Sequence, residues 1–217
     1  RMNIIRLQDV VPKVFEGHLP ADPVSDVWGS DFLFEKGKSY LIKAASGRGK
    51  SSLCSYIYGL RDDYSGKISF DAKDSKTLSI SDWNKVRQTS IGVLFQDLRL
   101  FGELNAVENV MIKADLTSHC SKEKAIALLT EIGLEDRLDR PVSLLSFGQQ
   151  QRVAFVRMLC QQADFWLLDE PVSHLDIDNA KTMAAMLMRE SKQNNTGIIV
   201  TTIGHDLPYE YDKIMLL

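Results

Sequence analysis

The chain has 217 residues, of which 44% are hydrophobic and 25% are charged, and its formal net charge is −3. This balance is typical of a globular protein with a substantial core, and the slight acidity argues against general nucleic-acid binding. No apolar run approaches the ~18 residues that a spanning helix requires, and the first residues lack a signal peptide's apolar stretch. The cysteines are few, widely spaced and odd in number, which favours reduced thiols in a cytosolic protein: Cys54, Cys120 and Cys160.

Short apolar runs rich in Ile, Val, Leu and Phe recur along the chain, bounded by turn or charged residues. Such runs are typical of buried strands in a parallel sheet. The predicted strands are 4–7, 40–42, 91–95, 165–168, 198–201 and 214–217. Ser65-Gly66 and the segment 71–75 are predicted to be turns of a small β region.

Helical patterns separate several of these strands. One helix is predicted to begin at Ser121, which suits an N-cap, and to stop at Gly133. A second begins at Asp176 or Asp178 and ends near Gln193. Residues 98–160 contain helical segments and no convincing strand. We therefore predict an α/β fold for 1–217 as one domain, with a core of 1–97 and 161–217, a mainly parallel sheet and an inserted helical lobe at 98–160.

The segment 44–52, AASGRGKSS, lies between an apolar strand and a helical start. It resembles the phosphate-binding loop G-x-x-x-x-G-K-[ST] of P-loop NTPases, with Ala44 in place of the first glycine. Its backbone N–H groups and the helix N-terminus favour phosphate, Lys50 adds positive charge, and Ser51 offers a hydroxyl to Mg²⁺. The predicted nucleotide contacts are Ser46, Gly47, Arg48, Gly49, Lys50, Ser51 and Ser52. The alternative is a glycine-rich turn that binds nothing.

A second motif, FWLLDE, is an apolar strand that ends in two carboxylates. Asp169 is placed to hold Mg²⁺, and Glu170 to orient and deprotonate the water that attacks a γ-phosphate. The alternative is a buried strand that ends in a solvated acidic turn. The phosphate-loop motif upstream favours the catalytic interpretation.

A third motif, LSFGQQQR at 145–152, precedes a helical segment. Ser146, the backbone of Gly148 and Gln149 would lie at a helix N-terminus, which makes a second anion-binding device. Here the chain resembles the ATP-binding cassette (ABC) ATPases, whose signature is LSGGQ. The resemblance implies that these residues close over the ATP held by the phosphate loop of a partner subunit.

The same resemblance implies roles for further positions. Phe15 would stack on adenine, although an ordinary core aromatic is equally compatible with its position. Gln96, in VLFQD, would reach the metal and the attacking water, and the segment SHLD at 173–176 would cross the interface between paired cassettes. His18 and His119 lack a partner pattern and are interpreted as surface residues, whereas His174 is expected near that interface.

Three positions depart from the family pattern. Ala44 replaces the first glycine of the phosphate loop, and Phe147 replaces the first signature glycine, where its ring could tune closure or pack on the partner. The usual switch histidine follows its strand directly, but Thr202 holds that position here and His205 comes three residues later. We interpret His205 as a switch residue carried by a short loop, with a solvated loop histidine as the alternative.

The resemblance implies an ATPase subunit of a transporter that acts with ATP and Mg²⁺. It would pair as a homodimer or with another cassette, drive separate membrane permease subunits, and lie on the cytoplasmic face of the membrane through them. The stretch 83–110 is similar to lipoprotein-releasing, macrolide-export and division-associated cassettes. The alternatives are a soluble ABC ATPase without a permease and a slow ATP-dependent clamp, which the displaced His205 motivates.

Overall fold

The computed structural model describes residues 1–19 and 24–217, which form two sheets flanked by helices. In chain order the strands are β1 (Ile4–Pro12), β2 (Asp31–Glu35), β3 (Ser39–Lys43), β4 (Tyr64–Phe70), β5 (Lys73–Asp74), β6 (Ile91–Leu94), β7 (Phe165–Asp169), β8 (Gly197–Thr202) and β9 (Lys213–Leu216). The α-helices are α1 (Lys50–Ile57), α2 (Ile80–Lys85), α3 (Ala106–Ala114), α4 (Lys122–Glu131), α5 (Phe147–Leu159) and α6 (Ile177–Asn194).

Five strands form a parallel sheet in the order β6-β7-β8-β3-β9. Strands β6, β7 and β8 are buried along their whole length, which is why their sequences are continuous apolar runs. The parallel sheet is confirmed. Because the carboxyl ends of parallel strands meet at one edge, the segments after β3, β7 and β8 come together there.

The smaller sheet is antiparallel, in the order β2-β1-β4-β5. The small β region is confirmed, but three details of its prediction are wrong. The run 4–7 belongs to this sheet and not to the parallel one, and its residues alternate between buried and less buried positions. In the segment 71–75 only residues 71–72 form the turn, because Lys73–Asp74 pair with β4 as strand β5. Ser65-Gly66 lies inside β4 and is not a turn. Gly66 has φ +78, and a Cβ there would lie 2.2 Å from the carbonyl oxygen of Asp9, where the pairing of β1 and β4 changes register.

Helices α3, α4 and α5 lie between β6 and β7, inside the range predicted for the lobe. Ser121 caps α4 as predicted, and Gly133 follows that helix with φ +80. Asp176 caps α6, and Asn195 ends it in the left-handed conformation. The apolar side chains of α3–α5 share one buried cluster with one face of the parallel sheet, which fixes the lobe against the sheet.

In the ranges 1–19 and 24–217, none of the helices combines the length and apolar character that crossing a bilayer demands.

Candidate active site

The loop between β3 and α1 is shaped by two left-handed glycines. Gly47 has φ +80, and Gly49, the N-cap of α1, has φ +88. Residues with a Cβ are strained in this region, so the glycines let the chain turn sharply into the helix. Ala44 is buried, and its N–H donates to the carbonyl of Thr202 over 2.9 Å as a continuation of the sheet. Alanine suits this position because no positive φ is required there.

Two aromatic residues, Trp28 and Phe15, pack against the phosphate loop. The indole Nε1 of Trp28 donates to the carbonyl oxygen of Arg48 over 2.9 Å. A Cβ on Gly49 would lie 3.2 Å from Phe15 Cε2 and 3.3 Å from Trp28 Cζ2, a tight fit that adds to the strain of its positive φ. Trp28 was not predicted as a site residue, because no sequence motif marks an aromatic side chain that contacts the loop from a distant part of the chain.

The ammonium of Lys50 lies between the two carboxylates that end β7. It forms an ion pair with Asp169, and its Nζ is 3.5 Å from Glu170 Oε1. Asp169 also accepts hydrogen bonds from Ser51 Oγ over 3.2 Å and from Thr201 Oγ1 over 2.8 Å. The predicted loop and the predicted acidic strand therefore meet at one point. Thr201 was not predicted as a site residue; it lies on β8 in register with Asp169.

Glu170 is held in an uncommon backbone conformation, with φ +52 and only 2% of its surface exposed. Its N–H donates to the carbonyl of Thr201 over 3.0 Å, and its carbonyl accepts from Gln151 Nε2 over 2.9 Å. These bonds fix the backbone of Glu170 at the carboxyl edge of the sheet. Within the described part of the chain, Glu170 Oε1 accepts no hydrogen bond, and the ammonium of Lys50 lies 3.5 Å away, so Oε1 keeps hydrogen-bonding capacity for a ligand.

These groups border a cleft of about 490 Å³. Its base is polar and carries Lys50, and three apolar side chains contribute to its wall: Val14, Phe15 and Ile203. The other lining residues are Ala45, Ser46, Gly47, Gly49, Ser51, Ser52, Gln96 and Glu170. The structure thus brings most of the predicted nucleotide contacts together with Gln96 and Glu170. Arg48, a predicted nucleotide contact, and Asp169, a predicted metal contact, are not among the lining residues.

The oxygen atoms beside the cleft suit a hard divalent cation such as Mg²⁺. Ser51 Oγ and Asp169 Oδ2 are 3.2 Å apart, and Glu170 adds a buried carboxylate whose Oε1 accepts no hydrogen bond from the described residues. Mg²⁺ prefers oxygen ligands and is commonly bound by one or two carboxylates together with substrate phosphates. Ser51, Asp169 and Gln96 remain the predicted metal contacts.

The signature residues lie away from this cleft, at the N-terminus of α5. Ser146 Oγ accepts from the N–H of Gln149 over 3.2 Å, and the Gln149 side chain accepts from the N–H of Ser146 over 2.9 Å, which forms a capping box. Gly148 packs so closely that a Cβ would lie 2.7 Å from the carbonyl oxygen of His174. This contact requires glycine independently of any bound nucleotide.

The loop after β8 does not bring His205 to the cleft wall. Thr202 Oγ1 donates to the carbonyl of His205 over 3.0 Å and accepts from the N–H of Gly204 over 3.1 Å. These bonds fold the loop so that Ile203 lines the cleft while His205 is exposed. Asp206 forms an ion pair with Lys43 over 2.5 Å. The catalytic role of His205 therefore stays a prediction.

The family model described as "ABC transporter" matches residues 28–173, a range that includes the phosphate loop, the acidic strand and the signature. The chain belongs to this family. The family assignment, the P-loop NTPase fold class and the identification of the chain as an ATP-binding ATPase subunit are confirmed.

Curated relatives support the same assignment. The chain is 34% identical over 207 residues to the lipoprotein-releasing system ATP-binding protein LolD of Saccharophagus degradans, covering 94% of this chain and 89% of that protein. It is 32% identical over 208 residues to the uncharacterized ABC transporter ATP-binding protein YbbA of Escherichia coli K12, covering 94% and 89%. The macrolide export ATP-binding/permease protein MacB of Shewanella sp. ANA-3 is 35% identical over 175 residues, covering 79% of this chain and 26% of that protein.

The fold also matches solved cassettes. The dimeric structure of the bacterial ABC transporter cassette MJ0796 superimposes with a TM-score of 0.77 at 24% identity, covering 91% of this chain and 87% of that one. A dimeric post-hydrolysis state of MJ0796 bound to ADP and phosphate gives a TM-score of 0.75 at 24% identity, covering 93% and 88%. At this identity the likeness supports the fold.

Proposed function

We propose that two copies of this cassette, or this cassette and a similar one, close around two ATP–Mg²⁺ complexes and hydrolyse them. The observation that carries the proposal is the convergence of Lys50, Ser51, Asp169 and Glu170 where the phosphate loop meets the carboxyl end of β7. Phosphoryl transfer depends mainly on positioning and on stabilising charge, and this cluster provides both. The separate anion-binding end of α5 supports pairing, because one nucleotide site does not need it.

In this proposal each residue has a definite task. Lys50 and the N–H groups of residues 46–52 bind the phosphates, and Phe15 contacts the adenine. Glu170 accepts a proton from the attacking water, and Gln96 orients that water. When bound, Mg²⁺ would neutralise developing phosphate charge next to Ser51 and Asp169. Ser146, Gly148 and Gln149 of the second copy would complete the site from the opposite side, and His205 would approach the γ-phosphate.

The partner is proposed to be a membrane permease, which would hold the cassette on the cytoplasmic face of the membrane. The similarity to LolD, named for a lipoprotein-releasing system, and to MacB, named for macrolide export, supports this partner class and makes these two activities the first to test. Co-purification with an integral membrane protein is the expected result. Co-purification with nucleic acid or ribosomes instead would favour a soluble ABC ATPase.

The ATPase proposal is tested by comparing the wild type with Glu170→Gln, which keeps the shape of the side chain and removes its basicity. Loss of a positioned general base is expected to lower turnover by roughly 10²–10⁴-fold, while ATP binding is retained. A wild type as slow as the variant, even with its permease present, would overturn the proposal. That result would support the slow ATP-dependent clamp, the alternative that the exposed position of His205 favours.

A further inference from the structure

Two cysteines that are far apart in the sequence meet beneath the helical lobe. The Sγ atoms of Cys120 and Cys160 are 3.1 Å apart and share a thiol hydrogen bond, and both residues are buried. Cys120 immediately precedes Ser121, the N-cap of α4, and Cys160 is the C-cap of α5. The contact therefore joins the start of one lobe helix to the end of another.

We propose that Cys120 and Cys160 form an oxidisable dithiol site, which becomes an intramolecular disulfide when the folded chain meets a small disulfide or a peroxide. The two sulfurs are already in contact, so only a shift of about 1 Å separates them from the S–S bond length of ~2.05 Å. This proposal is independent of the ATPase proposal, because it concerns bond formation within the lobe.

The chemistry balances with one oxidant molecule. With a small disulfide, the Cys120 thiolate attacks one sulfur of the oxidant, and a thiolate leaves. The Cys160 thiolate then attacks Cys120 Sγ in the mixed disulfide and releases the second thiol, so two protons and two electrons pass from the chain to the oxidant. With hydrogen peroxide, the Cys120 thiolate attacks one peroxide oxygen to give a sulfenic acid and one water, and attack by Cys160 on the sulfenic sulfur then releases the second water and leaves the same disulfide.

The surroundings give the two thiols different roles in the exchange reaction. The hydrogen bond with Cys160 lowers the pKa of the Cys120 thiol, although burial acts in the opposite direction, and the charge of Lys124 assists the lowering. The same hydrogen bond and burial raise the pKa of Cys160. A stabilised thiolate is the attacking species in exchange, so Cys120 attacks first and Cys160 resolves the intermediate.

Cys54 provides an internal control. It is buried in α1 beneath the candidate active site, where its Sγ is 3.9 Å from Thr201 Oγ1. Burial raises the pKa of its thiol, and the nearby charge of Asp169 raises it further. Cys54 should therefore remain a thiol under conditions that oxidise the other pair.

The disulfide would cross-link the start of α4 to the end of α5 and so close a long loop within the lobe. It would close the segment 120–160, which contains the signature residues at the other end of α5. Closing a loop of this length restricts the unfolded chain, so the oxidised form should be more stable and its Tm should rise by several degrees.

The test treats the full-length, fully reduced folded chain with oxidised glutathione or with hydrogen peroxide, then alkylates the remaining thiols and maps the peptides. The expected product has lost two hydrogens, links the Cys120 peptide to the Cys160 peptide, keeps Cys54 alkylated and returns to the dithiol on reduction. Cys120→Ser and Cys160→Ser should not form this link, whereas Cys54→Ser should form it as the wild type does.

Three results would overturn the proposal: both thiols remaining alkylatable while the chain stays folded, linkage only after denaturation, or linkage that involves Cys54 equally. Thermal unfolding of each serine variant checks that the chain is folded during the reaction. If a serine variant does not fold, the mapped linkage and the Tm of the oxidised and reduced wild type decide the question without it.

Discussion

The ring of Phe147 lies against the imidazole of His174, with the two centroids 4.3 Å apart and the ring planes tilted by 59°. His174 Nδ1 in turn lies 2.9 Å from Ser173 Oγ, and the carbonyl of His174 packs on Gly148. The start of α5 and the loop after β7 therefore form one continuous surface. The sequence analysis allowed for Phe147 to pack on a partner; within this chain the ring packs on His174 and remains 42% exposed.

Replacing this ring should weaken the closure of paired cassettes. Phe147→Gly removes the contact with His174 and adds a flexible residue at the first position of α5, so the signature must be ordered when the two copies close. We expect the ATP concentration for half-maximal ATPase activity to rise several-fold while the maximal rate changes less. For Phe147→Leu, which keeps an apolar side chain there, we expect an ATP concentration for half-maximal activity between those of the wild type and Phe147→Gly. An unchanged ATP dependence in Phe147→Gly would contradict this assignment.

Thr201 should matter through its hydroxyl. Thr201→Val keeps the shape of the side chain but leaves buried Asp169 without a hydrogen-bond donor that lies at 2.8 Å. The free energy of unfolding should fall by about 1–3 kcal/mol, and the Mg²⁺ concentration for half-maximal activity should rise, because the carboxylate is less firmly oriented. Chemical denaturation and a Mg²⁺ titration measure the two effects. Thr201→Ser restores the donor and should behave as the wild type; if it behaves as valine, the hydroxyl is not the cause.

Trp28 should support nucleotide binding from behind the loop. Trp28→Phe keeps much of the aromatic packing but removes the Nε1 donor to the carbonyl of Arg48. Losing this hydrogen bond should destabilise the ordered conformation of the phosphate loop by about 1 kcal/mol. The Kd for ATP should therefore rise several-fold. The measurement is the Kd for ATP by calorimetry. Trp83→Phe, away from this cleft, is the matched control, and equal weakening in both variants would point to a general loss of stability.

His205 offers the sharpest test of the departure from the family pattern. If the short loop brings its imidazole to the γ-phosphate in the closed pair, His205→Ala should lower turnover at least tenfold with ATP binding unchanged. His18→Ala, another exposed histidine, controls for loss of an imidazole elsewhere. Turnover equal to that of the wild type would mean that His205 is a solvated loop residue without a catalytic role. Thr202 would then serve only to fix the local backbone.

Four of the five parallel strands, β3, β6, β7 and β8, were readable from the sequence because burial on both faces makes them continuous apolar runs, whereas β9 is apolar in sequence but mostly exposed. Strand β2 was missed although its three central residues are apolar: Phe32 and Phe34 are buried but Leu33 between them is exposed, so this strand is not buried on both faces. The phosphate loop was found because its chemistry is local, with the glycines, Lys50 and Ser51 adjacent in the chain. Thr201 and Trp28 were not found from the sequence. Thr201 acts through strand register and Trp28 through a contact across the fold, and single-sequence patterns encode neither.

Gln151 connects the two functional ends of the chain. It lies on α5, little more than one turn beyond Ser146, and it donates to the main chain of Glu170, whose backbone is already strained. A force that a second copy applies to the start of α5 would reach Glu170, the proposed general base of the same chain, through this helix. In a closed pair of such chains, the chemistry at each nucleotide would then depend on how tightly the other nucleotide is held.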